Sequence, residues 1–172
     1  MEFRFYPAET LPSRFDIVHC CFPYREAPGV PGPKARPGLV FDAMVNPEDD
    51  HPYVFVHYGT SQKFDRLNPF QFVIGNSADI ERSGLRYMTR FDLRPPELLP
   101  WCAEFFCARD AGQGPILGRL PPRQIDALRR HGAQLNKHFK AMQTIADMQD
   151  DEVGSKKKPG QIAKQNAAPP FR

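Results

Sequence analysis

Apolar and polar residues alternate over short stretches along most of the chain, and proline or glycine separates one stretch from the next. Alternation with a period of two, rich in aromatic and β-branched residues, is typical of half-buried strands. The pattern predicts strands at residues 15–22, 38–45, 53–58, 70–74, 84–93, 98–107 and 116–120. Between them we expect a long Pro/Gly-rich loop at 23–33, a turn at 46–50 and a short helical turn or loop at 76–84.

A helical pattern replaces this alternation after Pro121. Proline suits the first turn of a helix, where its missing N–H costs nothing. Ile125, Leu128 and Leu135 form an apolar stripe at helical spacing, and the pattern continues to Met148, with Gly132 as a point where one helix can end and another begin. Short antiparallel strands followed by a helix predict a mostly β fold, a small curled sheet or barrel with a C-terminal helix.

Composition divides the chain into three parts. Residues 1–131 contain the strands and form the predicted barrel domain, and residues 132–153 form a helical extension. Residues 154–172 are rich in Lys, Gln, Asn, Ala and Pro and cannot bury a core, so we expect a disordered basic tail.

Length and cysteine usage limit the class of protein. The 172 residues suit one domain with a core, and no apolar run is long enough to cross a membrane. The first residues lack the apolar centre of a signal peptide, so we expect a cytoplasmic protein. The four cysteines lack a C-x-x-C spacing, which argues against a zinc site or a redox pair and favours reduced, mostly buried thiols. Cys20 and Cys21 are adjacent on a predicted strand and should point to opposite faces.

The net charge of +3 gives no argument for nucleic-acid binding. The segment after Gly154 contains five basic residues and no acidic one, which leaves 18 basic against 20 acidic residues in the rest of the chain. Any such argument must therefore come from local clusters of basic side chains.

Two predicted loop ends contain the residues best suited to bind a phosphate. The loop before residue 38 ends in Lys34-Ala35-Arg36-Pro37, and the strand at 53–58 continues into Gly59-Thr60-Ser61-Gln62. Pro37 restricts the backbone before it to an extended conformation, which fixes the direction of Arg36. A guanidinium and hydroxyls that face each other across one end of a small sheet can hold one phosphate group between them.

Each of these residues also has a purely structural interpretation. Arg36 could be a surface arginine that pairs with Glu26 or Asp65. Thr60 and Ser61 could be turn residues whose hydroxyls satisfy backbone N–H groups at the end of the strand.

Other candidates near these loops are interpreted in the same way. His57 is out of phase with Thr60 along the strand, so we interpret it as structural, although it could serve as a proton acceptor if it faced the cleft. Arginines recur every four residues from 82 to 94, which suggests either a surface for a phosphate backbone or a solvated edge. The aromatic residues of the 98–107 stretch are more typical of a core or a dimer interface than of base stacking. They are Trp101, Phe105 and Phe106.

Five short motifs in order resemble the PemK/MazF family of toxins from bacterial type II toxin–antitoxin systems, over roughly residues 14–131. The motifs are Phe15-Asp16-Ile17-Val18, Lys34-x-Arg36-Pro37-Gly38-Leu39-Val40, Tyr58-Gly59-Thr60-Ser61-Gln62, Gly84-Leu85 and Leu117-Gly118-Arg119-Leu120. The chain looks closest to a branch with a Tyr-Gly-Thr-Ser-Gln motif and a Thr-Arg-Phe-Asp-Leu segment, here at 89–93.

The resemblance implies an SH3-like barrel of the CcdB/MazF type and a homodimer. It also implies a metal-independent, sequence-selective endoribonuclease without a cofactor. The expected substrate is single-stranded mRNA, which would be cut by attack of the ribose 2′-hydroxyl to leave a 2′,3′-cyclic phosphate and a 5′-hydroxyl. The expected protein partner is a cognate antitoxin whose disordered acidic segment covers the RNA groove.

Family roles can be carried over by position. Arg36 matches the catalytic arginine before proline, Thr60 matches the threonine that stabilises charge at the scissile phosphate with Ser61 beside it, and Arg86 matches a second catalytic arginine. We assign RNA binding to four further residues. These are Arg25, Lys34, Gln62 and Arg90.

One departure from the family pattern keeps other functions open. Some members have an aspartate two residues after the second arginine, where this chain has Met88, and the nearest carboxylate is Asp92. A barrel that binds RNA or protein without cleaving is therefore the main alternative. A gyrase-poisoning protein of the same barrel type is a third, although the Arg36/Thr60 pair argues against it.

Overall fold

The computed structural model describes residues 2–65 and 68–155, with 138–139 and 141–155 described by backbone only. Seven strands are present: β1 (Asp16–Cys20), β2 (Arg36–Val45), β3 (Pro52–Thr60), β4 (Gln71–Ile74), β5 (Thr89–Asp92), β6 (Glu97–Pro100) and β7 (Ile116–Arg119). Two α-helices, α1 (Ser77–Arg82) and α2 (Pro122–Ser155), and a 3₁₀ turn at Ala8–Thr10 complete the secondary structure of these ranges.

The strands form one antiparallel sheet that curls into a half-barrel, in the order β4-β5-β3-β2-β1-β7. The long central strand β3 pairs with β2 along one edge, while β6 and then β5 share its other edge. The last strand, β7, returns to pair with the first. The prediction of a mostly antiparallel β fold with a C-terminal helix is therefore confirmed.

The centre of the sheet is buried on both faces. Alternate residues of β1 and β2 enter different cores, since Ile17 and Leu39 belong to one hydrophobic cluster while Val18 and Val40 belong to the other. Strands covered on both sides have near-continuous apolar sequences, which explains their strong signal in the sequence.

Each face has its own covering layer. Trp101, Phe105 and Phe106 cover the Val18 face, so the prediction that these aromatic residues belong to the core is confirmed. Ile125 and Leu128 from the start of α2 pack against the Ile17 cluster.

Two strand predictions were too long. The segment before Thr89 is not a strand, because the chain turns at Gly84, which has a φ of 69°. A Cβ on Gly84 would lie 1.9 Å from the Leu117 carbonyl oxygen, so close backbone contact requires glycine there. Likewise, the strand predicted at 98–107 ends at Pro100. The aromatic residues after Pro100 lie in a segment without regular secondary structure and pack into the core from there.

The chain divides into two compact units, Met1–Leu135 and Asn136–Arg172. Gly132 does not interrupt α2, so the possible break there is not observed. The predicted domain boundaries stay a prediction, and the predicted disordered tail, apart from its first two residues, lies outside the described residues. None of the described helices has the length and apolar character to cross a membrane.

Candidate functional site

The first residues of β2 and the last residues of β3 lie at the same end of the sheet. Gly38 pairs with Tyr58 in the β2–β3 ladder. Extending this register by two residues places Arg36 opposite Thr60, on the sheet face that carries Tyr58. The two loop ends singled out in the sequence are therefore neighbours at one end of adjacent strands.

Gly59 makes this approach of the two strands possible. A Cβ at this position would lie 2.5 Å from the Pro37 carbonyl oxygen and 2.7 Å from the Phe91 ring. Both distances are shorter than a carbon side chain tolerates, so the glycine of the Tyr-Gly-Thr sequence is required by packing.

Two open cavities flank Tyr58 on this part of the surface. The first, which we call the Arg36 cavity, has a volume of about 330 Å³. It is lined by Phe22, Pro23, Tyr24, Pro33, Lys34, Arg36, Tyr58 and Glu97. The second, the Thr60 cavity, has a volume of about 200 Å³ and is lined by Tyr58, Thr60, Gln71, Arg90, Asp92 and Arg94. Because Tyr58 lines both, Arg36 and Thr60 contribute to neighbouring cavities on either side of one aromatic ring.

The Arg36 cavity has an available cation. Within the described ranges, the half-buried Arg36 side chain forms no ion pair or hydrogen bond, and it does not pair with Glu26 or Asp65. Lys34 is exposed beside it, and Glu97 is the one carboxylate among the lining residues. The cavity therefore has an excess of positive charge that a phosphate could neutralise.

The Thr60 cavity combines a closed ion pair with a second available cation. The Arg94 Nε donates to both Asp92 carboxylate oxygens, at 2.9 and 3.0 Å, and its Nη2 donates to the same carboxylate. This hydrogen bonding lowers the pKa of Asp92, so the carboxylate stays ionised at neutral pH. Arg90 uses only its Nε, which donates to the Gln62 carbonyl at 2.9 Å, and the rest of its guanidinium has no partner among the described residues.

The Thr60 hydroxyl has a structural role and also borders the cavity. Its Oγ1 accepts a hydrogen bond from the Gln62 N–H at 3.2 Å, as expected for a turn at a strand end. The side chain is 7% exposed. Ser61 and the side chain of Gln62 are exposed and line neither cavity.

His57 lies on the other face of β3. It is 8% exposed, packs edge-on against Phe41, and places its Nδ1 3.1 Å from the Arg94 carbonyl oxygen. Burial lowers its pKa, so the imidazole is neutral at physiological pH. The interpretation of His57 as a structural residue is confirmed, and because it lies on the opposite face of β3 from Tyr58 it lines neither cavity.

Two further predicted site residues, besides Ser61 and Gln62, lie outside both cavities. Arg86 forms an ion pair with Asp110 at 2.6 Å, and Arg25 is exposed within the turn between Tyr24 and Ala27. Since the chain before Thr89 is not a strand, Arg86 and Arg90 do not share a strand face.

The position of the missing family aspartate is also outside the cavities. Met88 is partly exposed and its sulfur lies near the backbone of Gly75. Asp92, four residues further on, is the carboxylate that the structure brings next to Thr60 in the cavity wall.

Sequence reasoning missed the residue that joins the two cavities. Tyr58 is 39% exposed and packs its ring edge against Phe22. The sequence does contain a signal for Tyr58: it lies two residues before Thr60, and this spacing on a strand places both side chains on one face. Glu97 was likewise not assigned to the site, because it follows Pro95-Pro96 and is brought near only by the pairing of β6 with β3. Arg94 was considered only as one of the arginines that recur from 82 to 94.

No protein-family model matches the chain, and no curated protein matches it significantly. The resemblance to the PemK/MazF family therefore stays a prediction. Among the described residues, no group of three or more His, Cys, Asp or Glu side chains is arranged to hold a metal ion.

Proposed function

We propose that this chain is a PemK/MazF-like toxin with an SH3-like barrel of the CcdB/MazF type, which cleaves single-stranded mRNA without a metal ion or cofactor. The observation that supports the proposal most is the unpaired Arg36 guanidinium in a cavity lined with aromatic residues, one strand away from Thr60. The order of the sequence motifs supports it independently.

An extended RNA strand suits the two cavities better than a compact small ligand. Both cavities are open and are joined by Tyr58, and Tyr24 adds a second exposed ring in the Arg36 cavity. Aromatic rings that stack on bases, beside cations that contact phosphates, are the usual elements of single-strand binding. Lys34 and Arg90 provide such cations on the two sides of Tyr58.

The proposed chemistry is the one that the resemblance implies, with roles for the groups that face the cavities. The ribose 2′-oxygen loses its proton and attacks the adjacent phosphorus, the bond from phosphorus to the 5′-oxygen breaks, and the 5′-oxygen takes a proton from solvent water. Arg36 stabilises the extra charge on the phosphoryl oxygens, a contribution that is worth about 3–4 kcal/mol for a well-placed donor. Asp92 is the candidate acceptor of the 2′-proton, and it becomes available if Arg94 exchanges its carboxylate partner for an RNA phosphate.

The remaining parts of the proposal rest on the resemblance. They are a homodimer, a bacterial cytoplasmic location and a cognate antitoxin. An acidic antitoxin segment would find its complement in the cations of the two cavities.

A binding module that does not cleave RNA is the second candidate. The observation that favours it is the composition of the cavity walls, which contain no histidine or cysteine among the described residues. Their ionisable groups are arginine, lysine, tyrosine and carboxylates, none of which ordinarily titrates near pH 7, where general acid–base catalysis is most effective.

The two candidates are separated by incubating the purified protein with RNA in the presence of EDTA. Cuts that leave a 2′,3′-cyclic phosphate, and that are reduced at least a hundredfold by Arg36→Ala, support the nuclease. The matched control is Arg82→Ala, which removes an exposed arginine that lines neither cavity. RNA that is retained but uncut supports the binding module, and RNA that is neither bound nor cut refutes both.

A further inference from the structure

Three side chains with thiol or imidazole chemistry lie together at the end of β1, outside the two cavities. Cys20 forms an isolated bridge with Phe106, flanked by two backbone hydrogen bonds. One runs from the Cys21 N–H to the Phe105 carbonyl at 2.7 Å, and the other from the Cys107 N–H to the His19 carbonyl at 3.1 Å. In an antiparallel pair this register places His19 opposite Cys107. Cys21 is then the diagonal neighbour of Cys107 on the same face of the pair.

The side chains of this face are in contact. The Cys107 sulfur lies 3.6 Å from the His19 Nδ1. Burial is the main cause that lowers the pKa of His19, so its imidazole is neutral at physiological pH and can accept a proton. The positive charges of Arg109 and Arg86 lower the pKa of His19 further. Asp110 pairs with both arginines and offsets part of this effect.

The two thiols of the cluster are neighbours and differ from the other cysteines in exposure. Burial, and after it the proximity of Cys107, raises the pKa of Cys21 to about 11. Cys21 and Cys107 are half-buried, whereas Cys20 and Cys102 are fully buried. All four are free thiols.

We propose that Cys107 and Cys21 form a thiol–disulfide exchange site, in which Cys107 attacks an external disulfide of the glutathione type and His19 accepts its proton. The Cys107 sulfur bonds to one sulfur of the external disulfide, and the other sulfur leaves as a thiolate. Cys21 then loses its proton, attacks the Cys107 sulfur and expels the second thiolate. The protein dithiol is oxidised to a Cys21–Cys107 disulfide, and the external disulfide is reduced to two thiols.

The bond requires only a small movement of the backbone. Diagonal neighbours in antiparallel pairs have Cα atoms roughly 7–8 Å apart, and disulfides usually span up to about 7 Å. Closing the bond would move the two Cα atoms about 1 Å closer together, and this movement would be taken up at the single bridge and the two backbone hydrogen bonds that flank it.

The disulfide would act on the Arg36 cavity, although the proposal does not depend on RNA cleavage. Cys21 directly precedes Phe22, Pro23 and Tyr24, which line that cavity. A bond from Cys21 to Cys107 would tie this part of the wall to the chain after Trp101. The oxidised protein would therefore hold the wall in a different position from the reduced protein.

The test treats the reduced, full-length protein with oxidised glutathione, stops the reaction by alkylation, and maps modified peptides by mass spectrometry. We expect a Cys21–Cys107 disulfide in the wild-type protein. Cys21→Ser should accumulate glutathione on Cys107, because the resolving thiol is gone. His19→Asn should slow the reaction of Cys107 about tenfold at neutral pH, because the acceptor of its proton is gone.

Cys102→Ala is the matched control and should react at the wild-type rate, and circular dichroism should show that each variant is folded. The proposal is overturned if Cys20 or Cys102 reacts first in the folded protein, or if Cys107→Ser is modified at Cys21 as fast as the wild type. It is also overturned if the folded wild-type protein resists modification, or if His19→Asn reacts at the wild-type rate.

Discussion

Replacing Gly59 by alanine tests whether the close approach of β2 and β3 holds the two loop ends together. The new Cβ would lie 2.5 Å from the Pro37 carbonyl oxygen and 2.7 and 2.8 Å from two carbons of the Phe91 ring. The carbonyl belongs to backbone and the ring is fully buried, so neither can move freely. The two strands must therefore separate where Arg36 and Thr60 face each other.

Overpacking of this kind typically costs about 1–3 kcal/mol of unfolding free energy. For a chain of this size, a loss of about 2 kcal/mol lowers the thermal midpoint by roughly 4–8 °C. Urea unfolding followed by circular dichroism measures the free energy, and RNA cleavage or retention should fall in parallel because the strand ends have moved.

Gly114→Ala is the matched control, since a Cβ at that position meets nothing within 4 Å. It should change stability by less than about 0.5 kcal/mol. If Gly59→Ala is as stable as Gly114→Ala and binds RNA equally well, the two strands are not held in the way described, and the geometric argument for the site is refuted.

Three further predictions concern single side chains. Tyr58→Ala should weaken RNA binding by about 1–3 kcal/mol and should lower stability by about 0.5–1.5 kcal/mol through loss of the ring contact with Phe22. Fluorescence anisotropy measures the binding against Tyr87→Ala, which removes an exposed tyrosine from outside both cavities. Thr60→Ala should destabilise the chain by about 1 kcal/mol, because the Gln62 N–H loses its acceptor. Thr60→Ser keeps the hydroxyl and should restore the stability. If the two variants are equally stable, the hydroxyl of Thr60 does not stabilise the turn. Hydrogen bonds from Arg4 lower the pKa of Glu104 to about 2. The contribution of the ionised Glu104 side chain to stability should be complete above about pH 5 and lost as pH falls towards 2. In Glu104→Gln the free energy of unfolding should therefore fall less steeply over this pH range.

The sequence predicted the central strands well because they are buried on both faces. Ile17-Val18 and Leu39-Val40 alternate between two cores and leave continuous apolar pairs, as expected for strands that are covered on both faces. It failed at Gly84, where the alternating pattern continues but the backbone turns. The reason is a close contact with the Leu117 carbonyl, and that contact joins segments far apart in the chain.

For the candidate site, too, features set by the local sequence were predictable and contacts between distant segments were not. The placement of Arg36 and Thr60 at one end of adjacent strands was predictable, because proline and glycine fix the local backbone around them. The ion pair that holds Arg86 away from the cavities was not, since its partner Asp110 lies 24 residues later and outside any periodic pattern. Tyr58 carried a readable signal in its spacing from Thr60, and only the sheet register shows that it also borders Arg36.

The pairing of the first strand with the last has a consequence for synthesis on the ribosome. β1 and β2 can form a hairpin early, but the other edge of β1 has no partner until Ile116–Arg119 has left the exit tunnel. During that interval the nascent chain presents an open β edge, the kind of surface through which unfinished chains associate. The period of translation between the release of β2 and the release of β7 is thus the one in which this edge is open to association.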